Sequence, residues 1–289
     1  MWDKPSINRL PDDRLHLRHG PIGIVLKVWA APDVVRQAHR LVTRHFPQIL
    51  PDLAGELANL RKPLKKAAKF QGKVAQRMAD AAWPFADVYV TPMAAVAGAV
   101  AEEVLRIVQA AGPIERAFVN DGGDIAFHLE PNQSLNFGVA GDFSEGPTPV
   151  LNGSITLTHA MGLGGIATSG AHGRSFSLGI ADSVTVLAKT ASTADVAATL
   201  IANAVNTESK AITRKAASKL DPDTDLGNLL VTTKVGKLSA NEIAAALAAG
   251  AAQAEAYLAR GLIAGAVLML QGSVRTVGAP LAALEASQQ

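Results

Sequence analysis

The sequence predicts an α+β fold, with mixed or antiparallel sheets flanked by helices, and three observations carry that expectation. β-Branched runs of strand length are interleaved with longer amphipathic or Ala-rich runs, Gly, Pro and Asp punctuate the joins, and hairpin-type turns recur between strands. Interleaving alone would also suit a doubly wound parallel sheet; the hairpins shift the expectation to α+β. With 289 residues, 48% of them hydrophobic, the chain has the material for a sizeable core. It is expected to form a single domain over residues 1–289, made of two packed halves at roughly 20–150 and 151–272, with residues 273–289 as an irregular tail.

Residues 20–30 (GPIGIVLKVWA) are apolar, β-branched and bounded by Pro, the pattern of an early strand. Asp33 opens a helix expected to end near Phe46, where Pro47 and Pro51 break the pattern. Residues 53–80 read as a second, very basic helix, because Arg61, Lys62, Lys65, Lys66, Lys69, Lys73 and Arg77 recur at helical spacing. Thr91-Pro92 starts a further helix that Gly112-Pro113 stops, and its Ala and Gly98 surface lets another backbone or a flat ligand come close. Residues 114–119 and 125–129 are strands joined by Asn120-Asp121-Gly122-Gly123-Asp124, the composition of a hairpin turn. Residues 131–149 suit a loop or edge hairpin, 154–159 a strand, 181–188 (ADSVTVLA) a strand, and 192–205 a helix. Residues 208–219 continue helically, 221–225 form an acidic turn, and 229–235 a strand. Ser239 caps an Ala-rich helix to Arg260, and 263–271 closes the core as a strand.

Composition removes several classes of function. Lys and Arg number 27 against 25 Asp and Glu, a formal charge of +2 that gives no field of the kind that nucleic acid or an anionic membrane demands. The chain has no Cys, which leaves only oxygen and imidazole as metal ligands. Aromatics at 4% disfavour a stacking platform for single strands. The first twenty residues are charged and lack an apolar run, so a cytoplasmic chain is expected. Residues 261–272 are too short to span a bilayer, which needs about 20 apolar residues, so no membrane partner is expected.

Three places carry chemistry. In the turn, Gly122 and Gly123 let a ligand approach the backbone, with Asn120 and Asp124 beside it, although a hairpin of Asn, Asp and Gly needs no ligand. Residues 162–173 (GLGGIATSGAHG) join glycine N–H groups to the Thr168 and Ser169 hydroxyls and Gly170, a plausible nest for phosphate oxygens. This stretch matches neither a Walker loop nor a Rossmann fingerprint. His172 within it is the histidine placed to act as a general base or to contact phosphate. Asp195 and Thr199 are one helical turn apart and could hold a hard cation such as magnesium, the bland alternative being an acidic residue favoured by the helix dipole.

Together NDGGDI (residues 120–125), ATSG (167–170), SVTVLA (183–188) and TADVAAT (193–199) resemble, in this order, the ApbE-like superfamily of FAD:protein FMN transferases. TPMAAVAGAVAEE (91–103), TSGAHGRSFSLGIADSVTVLA (168–188) and LDPDTDLGNLLVT (220–232) bring the chain closer to an uncharacterised sister family of ApbE-like proteins, over residues 20–272. The resemblance implies a tandem T-fold-like domain that binds FAD or another flavin or pterin, magnesium on Asp195 and Thr199, and a flavin site lined by the GGD turn. It also implies phosphoryl or FMN transfer, or nucleotide hydrolysis. Where the transferases carry His-Ile-Ile-Asp-Pro, this chain has Phe176-Ser177-Leu178-Gly179-Ile180, which leaves His172 as the candidate base. A pterin- or purine-binding protein of cofactor biosynthesis is the alternative. A partner docked on the basic segment 61–77 is another, and an Ala-rich surface helix is compatible with a homodimer.

Overall fold

The computed structural model describes residues 3–142, 150–173 and 175–278. Two short strands open the chain, β1 (Ser6–Arg9) and β2 (Leu15–His19), followed by β3 (Ile22–Trp29). In β3 Ile22, Ile24, Leu26 and Val28 alternate inward, the period of two of a strand with one covered face. Then come α1 (Pro32–Leu60), α2 (Lys73–Ala82), α3 (Val96–Gln109), β4 (Arg116–Asp121), β5 (Asp124–Leu129), β6 (Ser134–Asp142) and β7 (Val150–Thr158). The chain continues through β8 (Gly165–Ser169), β9 (Ser183–Ala188), α4 (Ala191–Ala204), β10 (Ile212–Ala216), β11 (Leu230–Val235), α5 (Ala240–Ala259), β12 (Gly265–Leu270) and β13 (Ser273–Val277).

These elements fall into two compact units, each assembled from separated stretches of chain. The first comprises Met1–Leu135, Leu157–Ala167 and Lys189–Val196. Its strands run in the order β1-β2-β3-β4-β5-β8, with antiparallel registers such as Val25↔Asn120 and Ile125↔Ile166. Helix α3 packs on β4 and β5, and α1 covers α3. The second unit comprises Asn136–Thr156, Thr168–Ala188 and Ala197–Gln289. There β12 pairs antiparallel with both β9 and β13 under α5, and β10 with β11 forms a separate antiparallel ladder. The architecture is mixed α+β with antiparallel sheets and helices, as the sequence predicts.

Several expectations need correction. Helix α1 runs straight through Pro47 and Pro51. An interior Pro costs about 3 kcal/mol, but Ala38, Val42, Phe46, Ile49, Leu50 and Leu53 continue one buried stripe across both prolines. Each large side chain in that stripe returns roughly 1.5–3 kcal/mol on burial. The basic helix expected over 53–80 is divided: α1 ends at Leu60, α2 starts at Lys73, and Lys65, Lys66 and Lys69 stand exposed on the irregular connection. No continuous basic helical face exists there for a partner. Residues 208–219 contain β10 rather than a helix, because Ile212, Arg214 and Ala216 alternate against Val231 and its neighbours in β11. Ser273–Val277 is a strand, not an irregular tail; its ladder with β12 covers the otherwise open edge of that strand. Residues 279–289 of that tail, and residues 143–149 of the expected loop, lie outside the described residues. Strands β1 and β2 were hidden by the charges of the N-terminal segment, although Leu15 and Leu17 already alternate with His16 and Arg18. No helix among the described residues is long and apolar enough to cross a membrane.

Candidate functional site

Helices α3 and α4 cap one another by acidic side chains. An α-helix leaves its first N–H groups without intrahelical acceptors, and Ala95, the residue preceding α3, offers no side-chain cap. The deficit is met by Asp195 of α4, whose Oδ2 accepts the Gly98 N–H at 3.0 Å; the Ala97 N–H bonds to the same carboxyl. In return, Glu102 of α3 accepts from both the N–H and the hydroxyl of Ser192 at the start of α4, at 2.6 and 2.7 Å. The exchange requires close backbone approach: a β-carbon on Gly98 would lie 2.4 Å from the Ala191 carbonyl oxygen. The small-residue surface expected of this helix is therefore used at Gly98 for helix contact. Glu102 is also 3.2 Å from Arg77, and Glu103 is held by Arg77 and Arg106.

Burial, and after it the negative charge of Asp121, pushes the Asp195 carboxyl up to about 7 against the pull of the Gly98 and Ala97 amides. Asp121 ends β4 and is itself buried, with Oδ1 accepting the Gly23 N–H at 3.2 Å. The first unit thus brings two carboxyls, from the hairpin and from α4, into one electrostatic neighbourhood. Asp121 was not singled out from the sequence; its inward position in β4, after Ala117 and Val119, was the available signal. Next to it, Asn120 Oδ1 accepts the Gly123 N–H at 2.8 Å, Asp124 pairs with Asp121, and Gly122 and Gly123 have φ of 68° and 113°. Positive φ at both central residues is what a tight hairpin turn matching strand twist needs. A β-carbon on Gly123 would meet nothing within 4 Å, so the turn backbone is sterically accessible. Thr199 follows Asp195 one turn later in α4.

The glycine-rich stretch is only partly a loop. Residues from Gly165 to Ser169 form β8, and a β-carbon on Gly165 would lie 2.3 Å from the Ala191 nitrogen, so this glycine serves backbone packing. The Thr168 hydroxyl is 2.9 Å from that of Thr185 on β9. After Ser169 the chain is pinned again: a β-carbon on Gly170 would lie 2.3 Å from the Asp182 carbonyl oxygen, and the Ala171 N–H donates to Ala181 at 2.8 Å. His172 follows, exposed, with Nε2 3.4 Å from Asp182 Oδ1. Elsewhere His159 Nδ1 bonds the Leu129 carbonyl at 2.6 Å and His128 contacts Glu130, both local partnerships.

Among the described residues no group of three or more His, Asp or Glu is gathered around a common centre. A cavity of about 540 Å³ lies between α1, α2 and α3 of the first unit, lined by His45, Asp52, Lys73 and by Glu103 and Arg106 of the ion-pair cluster, among others; Asp195 and the hairpin turn do not line it.

A UPF0280 protein of Methanopyrus kandleri is 40% identical over 131 residues, covering 45% of this chain and 48% of that protein. The chain spans about half the length of the curated relatives it matches. Among solved structures, the ApbE protein of Thermotoga maritima superposes over 95% of this chain and 96% of its own with a TM-score of 0.51 at 12% identity, a likeness of fold. The flavinyl transferase ApbE of Pseudomonas stutzeri aligns over 98% and 97% with a TM-score of 0.45 at 12% identity. The family model described as AbpE bacteria matches residues 7–276, nearly the whole length, and the chain belongs to that family.

Proposed function

We propose that this protein binds a flavin or related nucleotide with magnesium and transfers or hydrolyses at its phosphate bridge, in the T-fold-like manner that the ApbE resemblance implies. The observation that carries the reading is the neighbourhood of Asp121 and Asp195, where burial, and after it the like charge of Asp121, raises the Asp195 carboxyl. A divalent cation fits such a place, since it removes the repulsion and takes oxygen ligands. Magnesium commonly keeps waters and binds through one or two carboxylates plus substrate phosphates, so a cage of three acidic side chains is not required. Asp195 and Thr199 would hold the ion, whose chemistry is to neutralise developing phosphate charge.

The other candidate residues would have separate tasks. Asn120, Gly122, Gly123 and Asp124 present an accessible turn backbone to the nucleotide, and Thr168, Ser169 and Gly170 offer hydroxyl and amide contacts to phosphate. His172 takes the proton of an attacking hydroxyl. As that O–H bond breaks, the oxygen bonds to phosphorus, and the bridging P–O bond breaks with its electron pair leaving on the departing phosphate. With FAD the products are AMP and FMN, the latter free if water attacks and esterified if a protein hydroxyl does.

Titration calorimetry with FAD, with and without magnesium, tests the reading. Asp195→Asn keeps an oxygen to accept the Gly98 N–H but removes the charge. It is expected to lose the magnesium-dependent part of FAD binding by roughly tenfold or more. Equal magnesium dependence in both proteins would overturn the assignment.

A further inference from the structure

We propose that the connection between α1 and α2, together with the segment that follows α2, is a docking surface for an anionic lipid bilayer. Exposed lysines meet the anionic headgroups, and Trp83, Val88 and Tyr89 enter the zone between headgroups and acyl chains. The contact is peripheral, and it does not rest on the reading of Asp195 or His172 above.

The charge is concentrated here. Arg61, Lys62, Lys65, Lys66, Lys69 and Lys73 are the charged residues of the stretch 61–73, and no acid stands among them. The lysines are exposed, and none of them forms an ion pair among the described residues. The connection is irregular yet anchored. Leu64 is buried and its N–H donates to the Val90 carbonyl at 2.9 Å, while the Phe70 N–H donates to Gln76 Oε1 at 2.9 Å. The N–H groups of Gln71 and Gly72 donate to the two carboxylate oxygens of Glu56 at 2.9 and 2.7 Å, so this acid faces backbone and leaves the lysines to solvent.

The bond between Leu64 and Val90 sets the connection against the segment after α2. There Trp83, Val88 and Tyr89 are 43%, 42% and 41% exposed, while Phe85 and Val90 are buried and fix the segment on the unit. Val88 and Tyr89 directly precede Val90, and Lys65 and Lys66 directly follow Leu64, so apolar groups and cations flank one backbone hydrogen bond. Asp87 is the acid of this segment and is outweighed by the exposed lysines beside it. Single exposed apolar side chains are ordinary, but a group of them next to unpaired cations marks a contact surface.

Charge complementarity requires an anionic partner, and the apolar groups select a bilayer. Trp and Tyr rings rest at headgroup level, lysines gain from the negative potential of anionic lipids, and stable anchoring takes two such signals together. Single-stranded nucleic acid would ask for a series of rings to stack successive bases, and this surface exposes Trp83 and Tyr89 alone. The formal charge of +2 does not oppose the docking. Screening in physiological salt acts over about 8 Å, so a bilayer meets the nearby lysines rather than the sum over the chain.

The test is co-sedimentation of the full chain with phosphatidylcholine vesicles, with and without roughly 30% phosphatidylserine, at about 0.15 M salt. The protein should sediment with the anionic vesicles and stay in solution with the neutral ones. Joint replacement Lys65→Glu, Lys66→Glu and Lys69→Glu should weaken binding by roughly tenfold or more, with an unchanged Tm because these side chains are exposed. Trp emission should shift to the blue on binding in wild type, and the shift should be lost in Trp83→Phe, which keeps the apolar bulk. Wild type left in solution, equal binding by the folded triple variant, or an undiminished shift in Trp83→Phe would overturn the proposal. So would retention on single-stranded RNA without binding to anionic vesicles, which would assign the surface to nucleic acid.

Discussion

Asp195 and His172 are held by opposite strategies. Asp195 is drawn into the first unit by helix ends: its acceptor oxygen serves the start of α3, and its partners Gly98 and Asp121 are far away in sequence. His172 is exposed, and its partner Asp182 is only ten residues on, across a loop pinned by glycine packing and backbone bonds. The first device embeds a charge where leaving it unsatisfied is expensive. The second leaves a ring in solvent, 3.4 Å from a single carboxylate oxygen. The half-buried carboxyl has its charge shifted by its surroundings, while the exposed imidazole meets few of them.

The largest expected effect tests the packing beneath that contrast. Gly98→Val places a β-carbon 2.4 Å from the Ala191 carbonyl and must separate α3 from α4. It should cost more than about 3 kcal/mol in chemical denaturation. Gly123→Ala, with open space around it but φ of 113°, should cost only about 1–2 kcal/mol of backbone strain. Similar losses for the two would mean that the close helix contact is not what glycine provides at position 98.

The next effect concerns pH. The Asp195 carboxyl is raised from 3.8 to about 7, so the native state retains a proton that the unfolded chain gives up. Stability from this group therefore falls as pH rises from about 4 to 7 and stays reduced above that. Asp195→Asn removes the fall: without metal its Tm should exceed that of wild type at about pH 8, with the advantage shrinking to nothing below about pH 4. A constant difference between the two proteins across that window would contradict the raised Asp195 carboxyl.

A smaller effect of opposite sign is expected in the second unit, at the start of α5. Hydrogen bonds from the Ser209 hydroxyl, and from the backbone and hydroxyl of Ser239, hold the Glu242 carboxyl down at about 2. With the reciprocal bond from Glu242 N–H to Ser239 Oγ at 3.3 Å, this is a complete capping box. Its stabilisation is fully present above an ordinary glutamate value and is lost as pH falls through about 2. Glu242→Gln should thus be slightly less stable at neutral pH, with the gap closing in acid, as thermal melts at several pH values would show.

What was legible in the sequence follows the same division. The hairpin of β4 and β5, the ADSVTVLA strand, the Ala-rich α5 and its Ser239 cap were readable because their determinants are local: turn glycines, strand alternation, a capping residue. Pro47 and Pro51 misled because the buried stripe that carries α1 past them reports on tertiary packing, not on propensity. Of the candidate residues, Asp195 could be placed on a helix, but its service to Gly98 and its proximity to the charge of Asp121 depend on chain segments far away in sequence. The glycines of residues 162–173 suggested a phosphate nest, yet Gly165 and Gly170 are accounted for by backbones that pass within contact of them. Gln271 was unreadable, since nothing in its sequence neighbourhood announces a glutamine whose backbone N–H is directed at Asp182.

The most direct test of the central claim, a cation-dependent nucleotide site at Asp195, is electron paramagnetic resonance of manganese(II) as a stand-in for magnesium, titrated into the protein with FAD present at about pH 8. Wild type should quench the free-ion signal to a stoichiometric endpoint, and Asp195→Asn should leave the signal close to that of manganese and FAD alone. Equal quenching by both proteins would place the ion elsewhere and contradict the account.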